Sequence, residues 1–289
     1  MSFRPTRAAL VALTVSGTLA LAACGGDGGD GSAADGAREA QLINDGTLVV
    51  AMSGEFQPFS YFDGDQLTGF DYDIGQAVAE EMGLEVKGET ATFASLIGGL
   101  QANRYAVLIA SMTPTEERAE AGDFTQGYYS SGAQVFVPAG SDCTDPADLD
   151  DPTIGVATGT TYATYLEGEG ADLVGEIRSF DSDVVALRDL GTGRLDAVMT
   201  DRLVGLYQIE EAGLDVVECG DPLYSESPAF AVKKGNTGLV EDLNAALDTI
   251  VENGTYAEIS EKYFGQDISD TAGEVTDLGG GDDAESTDG

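Results

Sequence analysis

Short apolar segments alternate with segments of helical periodicity through the middle of this chain, and this alternation limits the fold more than any other feature. Apolar runs of three to five residues lie at 48–52, 107–110, 133–137, 154–157, 197–199 and 230–232. Between them, 71–83 and 239–254 repeat apolar residues every three or four positions, with Asp71 placed to cap the first helix. Strands that alternate with helices are typical of α/β proteins, so we expect parallel sheets flanked by helices.

The two ends of the chain lack the composition of a folded domain. Residues 1–23 combine two Arg with an apolar run and predict a lipoprotein signal peptide, because LAAC at 21–24 resembles the bacterial lipobox. We therefore expect lipidated Cys24 to anchor the protein at the outer face of the cytoplasmic membrane. The alternative is an ordinary secretory signal with an incidental cysteine. Residues 24–43 indicate a flexible linker, and 266–289 an acidic disordered tail.

The charge composition excludes several classes of function. The chain carries 13 Lys and Arg against 52 Asp and Glu, a net charge of −39, and it has no His. We exclude nucleic acid as a partner, because sequence-independent nucleic-acid binding depends on Lys and Arg. Without His there is no Ser-His-Asp or Cys-His catalytic group and no zinc site that needs an imidazole ligand. We therefore expect neither a metal nor a cofactor.

Polar and aromatic residues follow several of the predicted strands at the point where each strand ends. Residues 55–59 follow the first strand, 111–113 the second and 158–161 the fourth, and Asp201 comes shortly after 197–199. In open α/β sheets, ligands bind in the crevice beyond the carboxyl ends of the strands. The sequence therefore predicts a small-molecule site built from these loops.

A set of motifs in a fixed order gives this site a family resemblance. They are FQPF at 56–59, GFDYD at 69–73, FASLIGGL at 93–100, SMTPTEER at 111–118, DF at 123–124, GYYSSG at 127–132, GVATGT at 155–160, LDAVMTD at 195–201 and NGTYAEISEKYF at 253–264. In this order the chain resembles the family 3 solute-binding proteins, the polar amino-acid receptors of bacterial ATP-binding-cassette (ABC) importers. The resemblance covers essentially the whole predicted core.

The resemblance implies an α/β fold of the periplasmic-binding-protein type II class. Residues 44–127 plus 230–265 would form one lobe, and 128–229 the hinge strands and the second lobe. The chain would cross between the lobes twice, near 128–132 and 225–229, with the ligand cleft between them. The protein would be a monomer that captures its ligand by lobe closure.

The resemblance also assigns roles to the polar residues. Arg118 would bind the ligand carboxylate, since a guanidinium can hold two carboxylate oxygens at once. Gly159, Thr160 and Thr161 would face that carboxylate from the second lobe, where a strand-to-helix turn offers backbone N–H groups and Thr160 a hydroxyl donor. Asp201 would accept the α-ammonium group.

Further residues would surround the rest of the ligand. Ser111 and Thr113 would supply backbone and hydroxyl partners to its two ends, and Phe56 and Phe93 would form aromatic walls. Relatives that select basic amino acids commonly carry an acidic residue where this chain has Ser53, and nearby Glu55 offers a replacement charge. The sequence leaves open whether the ligand side chain is cationic or neutral and polar.

Cys143 and Cys219 would both lie in the second lobe. In an oxidising exterior compartment the pair favours a disulfide, with two free thiols as the alternative.

The leading functional hypothesis is a receptor that delivers a polar amino acid, or a close zwitterionic analogue, to an ABC permease and its ATPase. Three alternatives stay open at this point. One is an enzyme of the same fold, such as a cyclohexadienyl-type dehydratase with a carboxylate such as Glu55 as general base. The others are a compatible-solute receptor for a molecule such as ectoine, and a sensor that reports ligand to a membrane partner.

Overall fold

The computed structural model describes residues 46–273. The predicted signal peptide and the predicted linker 24–43, which begins with Cys24, lie outside the described residues, as does the part of the predicted tail from 274 onward.

Strands and helices alternate along most of the described chain. The strands are β1 Thr47–Met52, β2 Glu55–Phe56, β3 Ser60–Asp63, β4 Gln66–Thr68, β5 Glu85–Thr90, β6 Val107–Leu108, β7 Gly122–Gly127, β8 Ser131–Pro138, β9 Thr153–Ala157, β10 Glu176–Phe180, β11 Ala197–Asp201, β12 Val216–Glu218, β13 Tyr224–Glu226 and β14 Ala229–Lys233. The α-helices are α1 Phe70–Glu81, α2 Leu96–Gln101, α3 Glu116–Ala121, α4 Thr161–Glu167, α5 Asp183–Gly191, α6 Arg202–Glu210, α7 Thr237–Glu252 and α8 Thr255–Phe264. The predicted α/β class is confirmed.

Two sheets organise the molecule into two lobes. The first lobe contains the sheet β5-β1-β6-β14-β7, and the second lobe contains β10-β9-β11-β8-β12, with β13 also paired to β8. A small three-stranded sheet, β2-β3-β4, follows β1 along the chain. Buried apolar residues such as Leu48 and Val50 in the first sheet, and Ile154 and Val156 in the second, form the centre of each lobe.

Both large sheets are mixed, whereas the alternation in sequence predicted parallel sheets. In the first lobe, β14 runs antiparallel to β6 and β7; in the second, β8 runs antiparallel to β11, β12 and β13. β8 and β14 are the strands that enter each lobe directly after the chain has crossed from the other lobe. The change of lobe reverses their direction, and a local apolar pattern carries no information about this reversal.

The chain crosses between the lobes at two adjacent places. The first crossing joins β7 to β8 through 128–130, and the second joins β13 to β14 through 227–228. The backbone N–H of Tyr128 donates to the carbonyl of Pro228 at 2.9 Å, so the two crossings are hydrogen-bonded to each other. The predicted two-lobed architecture with two crossings is therefore confirmed.

Helix α1 begins differently from the prediction that Asp71 caps it. Gly69 is the N-cap, with φ 124°, and a Cβ there would lie 2.2 Å from the carbonyl oxygen of Phe59. Asp71 lies inside the first turn and is fully buried. The capping rule failed here because tertiary partners, described below, bind the Asp71 carboxylate.

The packed chain continues past 265, where the sequence predicted a disordered tail to begin. Ile268 is buried, the Thr271 hydroxyl accepts a hydrogen bond from the backbone of Ser130 at 3.1 Å, and the Gly273 N–H donates to the carbonyl of Gly127 at 2.8 Å. The prediction of disorder rested on the acidic composition of this region and overlooked Ile268, the one large apolar residue that packs against the fold. Residues 266–273 therefore lie against the first crossing between the lobes.

Two further features of the described residues bear on the environment of the protein. Cys143 and Cys219 form a disulfide in the second lobe, with Cα atoms 5.2 Å apart. Within 46–273, no helix has the length and apolar character needed to cross a membrane.

Candidate functional site

A cleft between the two lobes brings together most of the predicted site residues. Its lining is Ser53, Glu55, Phe56, Phe93, Ala110, Ser111, Thr113, Arg118, Ala157, Thr160, Thr161, Tyr162, Asp181, Ser182, Asp183 and Glu226. These residues follow the ends of strands in both sheets, as expected for a ligand crevice. Of the predicted ligand contacts, Gly159 and Asp201 lie beside this lining and do not form part of it.

Arg118 lies across the mouth of the cleft and contacts both lobes. Thr115 caps its helix, α3, by accepting a hydrogen bond from the Arg118 N–H at 3.1 Å. In the guanidinium, Nη1 donates to the Thr113 carbonyl at 2.5 Å and Nη2 to the Gly159 carbonyl at 2.8 Å. The group also lies 5.5 Å from the ring centre of Phe93, within cation–π range.

The electrostatic surroundings of Arg118 suit an anion. Burial lowers the pKa of Arg118, and the negative charge of Glu226 opposes this change. An Arg side chain nevertheless stays protonated in proteins. The cleft therefore holds a partly buried cation whose two hydrogen bonds go to neutral carbonyl oxygens, groups that a carboxylate can replace as a stronger acceptor.

The second-lobe turn that faces Arg118 differs in detail from the prediction. Gly159 has φ +80°, and a Cβ there would lie 3.1 Å from the Cβ of Ala94 across the cleft. Thr160 was predicted to offer a free hydroxyl donor, but this hydroxyl donates to the Ala157 carbonyl at 2.7 Å and accepts from the Ala163 N–H at 3.2 Å. Thr160 therefore acts as the N-cap of α4, and Gly159 allows the two lobes to approach closely.

Ser111 belongs to a buried network beneath the first-lobe wall. Its φ is 50°, its hydroxyl donates to both carboxylate oxygens of Asp71 at 3.2 and 3.1 Å, and its N–H donates to the Tyr128 hydroxyl at 2.9 Å. Tyr128 in turn donates to Asp71 at 2.5 Å. Burial raises the pKa of Asp71 to about 7 against these hydrogen bonds. The Ser111 hydroxyl is thus committed to the network that ties the strand end to the first crossing.

Asp201 caps helix α6 immediately behind the cleft. Its Oδ1 accepts from the N–H groups of Leu203 and Val204 at 2.7 and 3.3 Å and from the Ser131 hydroxyl at 2.9 Å. Its Oδ2 has a longer contact, 3.4 Å, with the Tyr129 hydroxyl. Burial, with a smaller contribution from the charge of Glu226, raises the pKa of Asp201 to about 7 against these hydrogen bonds. Most of the Asp201 hydrogen-bonding capacity is therefore used inside the protein.

Glu226 is a cleft residue that the sequence reading missed. It lies at the second crossing, is 7% exposed, and accepts a hydrogen bond from the Thr113 hydroxyl at 3.0 Å. Burial raises its pKa, against hydrogen bonds from Thr161, Thr113 and Tyr162 and the charge of Arg118. Its position near 225–229 was the available signal, because hinge segments border the cleft in a two-lobed fold.

A second missed segment, 181–183, brings two more carboxylates to the cleft. The Ser182 hydroxyl donates to the Glu55 carbonyl of the opposite lobe at 2.8 Å. Asp183 is 5% exposed and accepts from the Thr200 hydroxyl at 2.8 Å, whereas Asp181 is exposed. Burial raises the pKa of Asp183 to about 6 against this hydrogen bond. The segment was missed because it follows β10, whose sequence EIRSF lacks an apolar strand pattern.

Comparison with known proteins shows which family the chain as a whole resembles. Residues 48–266 match the model of the bacterial extracellular solute-binding proteins, family 3. The chain is 32% identical over 262 residues to the probable amino-acid-binding protein YxeM of Bacillus subtilis, covering 89% of this chain and 95% of that protein. It is 32% identical over 230 residues to the L-cystine-binding protein TcyJ of Escherichia coli K12, covering 78% and 85%.

A solved structure extends the similarity to three dimensions. An ancestral arginine-binding protein bound to arginine superimposes with a TM-score of 0.71 at 35% identity, over 76% of this chain and 98% of that chain. That ancestral protein binds arginine, and the two relatives above are named as a probable amino-acid-binding protein and an L-cystine-binding protein.

Proposed function

Because the chain belongs to the bacterial extracellular solute-binding proteins of family 3, we propose that it captures a free amino acid between its lobes and delivers it to the permease of an ABC importer. The observation that carries this proposal is Arg118, which spans the cleft from the Thr113 carbonyl to the Gly159 carbonyl. A ligand carboxylate bound there would contact both lobes at once. Binding would then stabilise the closed arrangement over an open one.

The α-ammonium group would lie next to the carboxylate, on the side of the cleft where Glu226 lies. Glu226 accepts from Thr113, the same residue whose carbonyl binds Arg118, so the anion and the cation are neighbours. Asp201 lies near Glu226, because Ser131, the strand partner of Glu226, donates its hydroxyl hydrogen bond to Asp201. We assign Glu226 as the group that binds the α-ammonium directly. Asp201, the acceptor predicted from sequence, would add negative charge behind it.

Thermal-shift screening tests both parts of this proposal. A ligand at about 100 times its dissociation constant adds about 2.7 kcal/mol to the free energy of unfolding. We expect at least one free amino acid to raise the melting temperature of the purified protein, and Glu226→Gln to remove most of that shift. Asp201→Asn should change the melting temperature of the unliganded protein little, because Asn caps a helix about as well as Asp, and should reduce the ligand shift less than Glu226→Gln does.

The opposite ranking of the two variants would restore Asp201 as the direct acceptor. A protein that shifts with no amino acid but shifts with ectoine would favour the compatible-solute alternative. Because the relatives described above are binding proteins, the receptor is favoured over the dehydratase alternative. Chromatography of the released ligand distinguishes these two, since a receptor returns it unchanged.

The family is extracellular, so the protein acts outside the cytoplasm. We propose in addition that Cys24 carries the lipid that holds it at the outer face of the cytoplasmic membrane, and that it works as a monomer. Release of Cys24→Ser into the soluble fraction would support the anchor, and retention at the membrane would contradict it.

A further inference from the structure

We propose that Asp183 makes the cleft selective for amino acids with a cationic side chain, such as arginine or lysine. This inference rests on the proposed function and adds to it the substrate class. It concerns the end of the cleft away from Arg118, to which the sequence reading assigned only Ser53 and Glu55.

The charges around Arg118 already match the charges of the ligand backbone. The guanidinium would meet the ligand carboxylate, and Glu226, which lies within electrostatic reach of Arg118, would meet the α-ammonium group. At the Arg118 end of the cleft, the carboxylate and ammonium groups of an amino acid with a neutral side chain would pair with both of these charges. Any further carboxylate in the lining is therefore surplus for such a ligand.

Three further carboxylates line the same cleft, namely Glu55, Asp181 and Asp183. The hydrogen bond from Ser182 to the Glu55 carbonyl holds the loop after β10 against the loop after β1. Loops that carry carboxylates in opposite lobes are therefore in contact at this end of the cleft. Ser53, on the first-lobe side of the cleft, is neutral, whereas the second lobe supplies two carboxylates.

Asp183 differs from the other two because it is buried. It is 5% exposed and accepts from the Thr200 hydroxyl, whereas Glu55 and Asp181 are exposed. A buried carboxylate with few donors is costly to ionise, as its raised pKa indicates. A guanidinium or ammonium group placed in the cleft would stabilise the ionised form. A neutral side chain would leave this cost uncompensated.

Arginine and citrulline provide the sharpest comparison, because they have nearly the same shape and differ in the charge at the end of the side chain. We would measure binding of arginine, lysine, citrulline and glutamine to the purified protein by isothermal titration calorimetry at pH 8. We expect arginine or lysine to bind at least a hundredfold more tightly than citrulline and glutamine. This comparison needs no variant, so it holds even if a substitution prevents folding.

The variant Asp183→Asn keeps the shape of the side chain and removes its charge. We expect it to weaken arginine or lysine binding at least tenfold and to change citrulline binding less than threefold. The matched control Asp172→Asn removes one charge from an exposed position of the same lobe outside the cleft lining, and should leave every affinity within twofold.

Each failure points to a different cause. If citrulline or glutamine binds as tightly as arginine and lysine, the selectivity is wrong and the amino-acid receptor stands. If Asp172→Asn weakens arginine binding as much as Asp183→Asn, the net charge of the protein, and not Asp183, causes the preference. If no amino acid binds at all, the proposed function itself fails.

Discussion

The two walls of the cleft carry unlike charges. The first-lobe wall contributes Arg118 and the aromatic rings of Phe56 and Phe93, with Glu55 exposed at its edge. The second-lobe wall contributes Asp181 and Asp183, and Glu226 joins it from the second crossing. A ligand that is anionic at one end and cationic elsewhere can therefore link the walls, whereas a ligand of uniform charge meets repulsion at one of them.

The two lobes also differ in whether their buried carboxylates border the cleft. Buried Asp71, in the first lobe, accepts from Ser111 and Tyr128 and serves the protein's own architecture. Buried Asp183, in the second lobe, borders the cleft and accepts from the Thr200 hydroxyl. Asp183 belongs to the cleft lining and Asp71 does not, so of these two buried carboxylates Asp183 is the one placed to meet a ligand.

Removing Arg118, the one basic residue of the cleft lining, should have the largest effect on ligand affinity. We expect Arg118→Ala to weaken amino-acid binding at least a hundredfold, because it removes a cation that can bind both oxygens of the ligand carboxylate. The charged residues that remain in the lining would all be acidic. Arg118→Lys should recover part of the affinity, since an ammonium supplies the charge without the planar fork. Titration calorimetry measures both.

The control for this change is Arg104→Ala, which removes an exposed Arg from the same lobe. It should bind like the unaltered protein. Equal binding by Arg118→Ala and Arg104→Ala would show that the unlike charge of the walls has no part in capture.

The second-lobe wall should make capture of a cationic amino acid dependent on pH. The pKa of Asp183 is about 6 without ligand. A bound cation favours the ionised carboxylate, so binding must release a proton below pH 6, and affinity should fall about tenfold between pH 7 and pH 5. Glu55, Asp181, Glu226, Tyr162 and Arg118 line the same cleft. Because Glu226 and Asp201 also have raised pKa values, some dependence should remain in Asp183→Asn.

The difference between the unaltered protein and Asp183→Asn isolates the Asp183 contribution. Calorimetry in two buffers of unlike ionisation enthalpy would count the released protons. Identical pH profiles for the two proteins would contradict a role for Asp183 in meeting the cation.

The sequence predicted some loops of the cleft better than others, for a physical reason. Arg118 and the loops after β1, β6 and β9 follow strands with plain apolar patterns, so their positions at the strand ends could be read directly. Asp183 follows β10, with sequence EIRSF, and Glu226 ends β13, with sequence YSE. Edge and hinge strands of this kind are short and polar, and only the assembled fold shows which loops they bring to the cleft.

A tertiary contact at Asp71 and a local helix cap at Thr160 also replaced the roles predicted for these residues. Asp71 had the position of a helix cap, but the hydroxyls of Tyr128 and Ser111 bind it inside the first lobe. Thr160 had the position of a ligand donor, but the cap of α4 uses its hydroxyl. The partners of Asp71 lie far away in sequence and could not be read from neighbouring residues, whereas the cap formed by Thr160 is local and could have been predicted.

Loss of an uncharged hydrogen bond between the two lobes should have the smallest effect on ligand affinity. The Gln57 side-chain amide of the first lobe donates to the Tyr207 hydroxyl of the second at 3.1 Å, a partly buried hydrogen bond. Tyr207→Phe removes it and keeps the ring, at a cost of about 0.5–1 kcal/mol to the closed arrangement. We expect ligand affinity to fall about threefold and the unliganded melting temperature to change little. An effect as large as that of Arg118→Ala would mean that lobe contact, rather than the unlike charge of the walls, dominates capture.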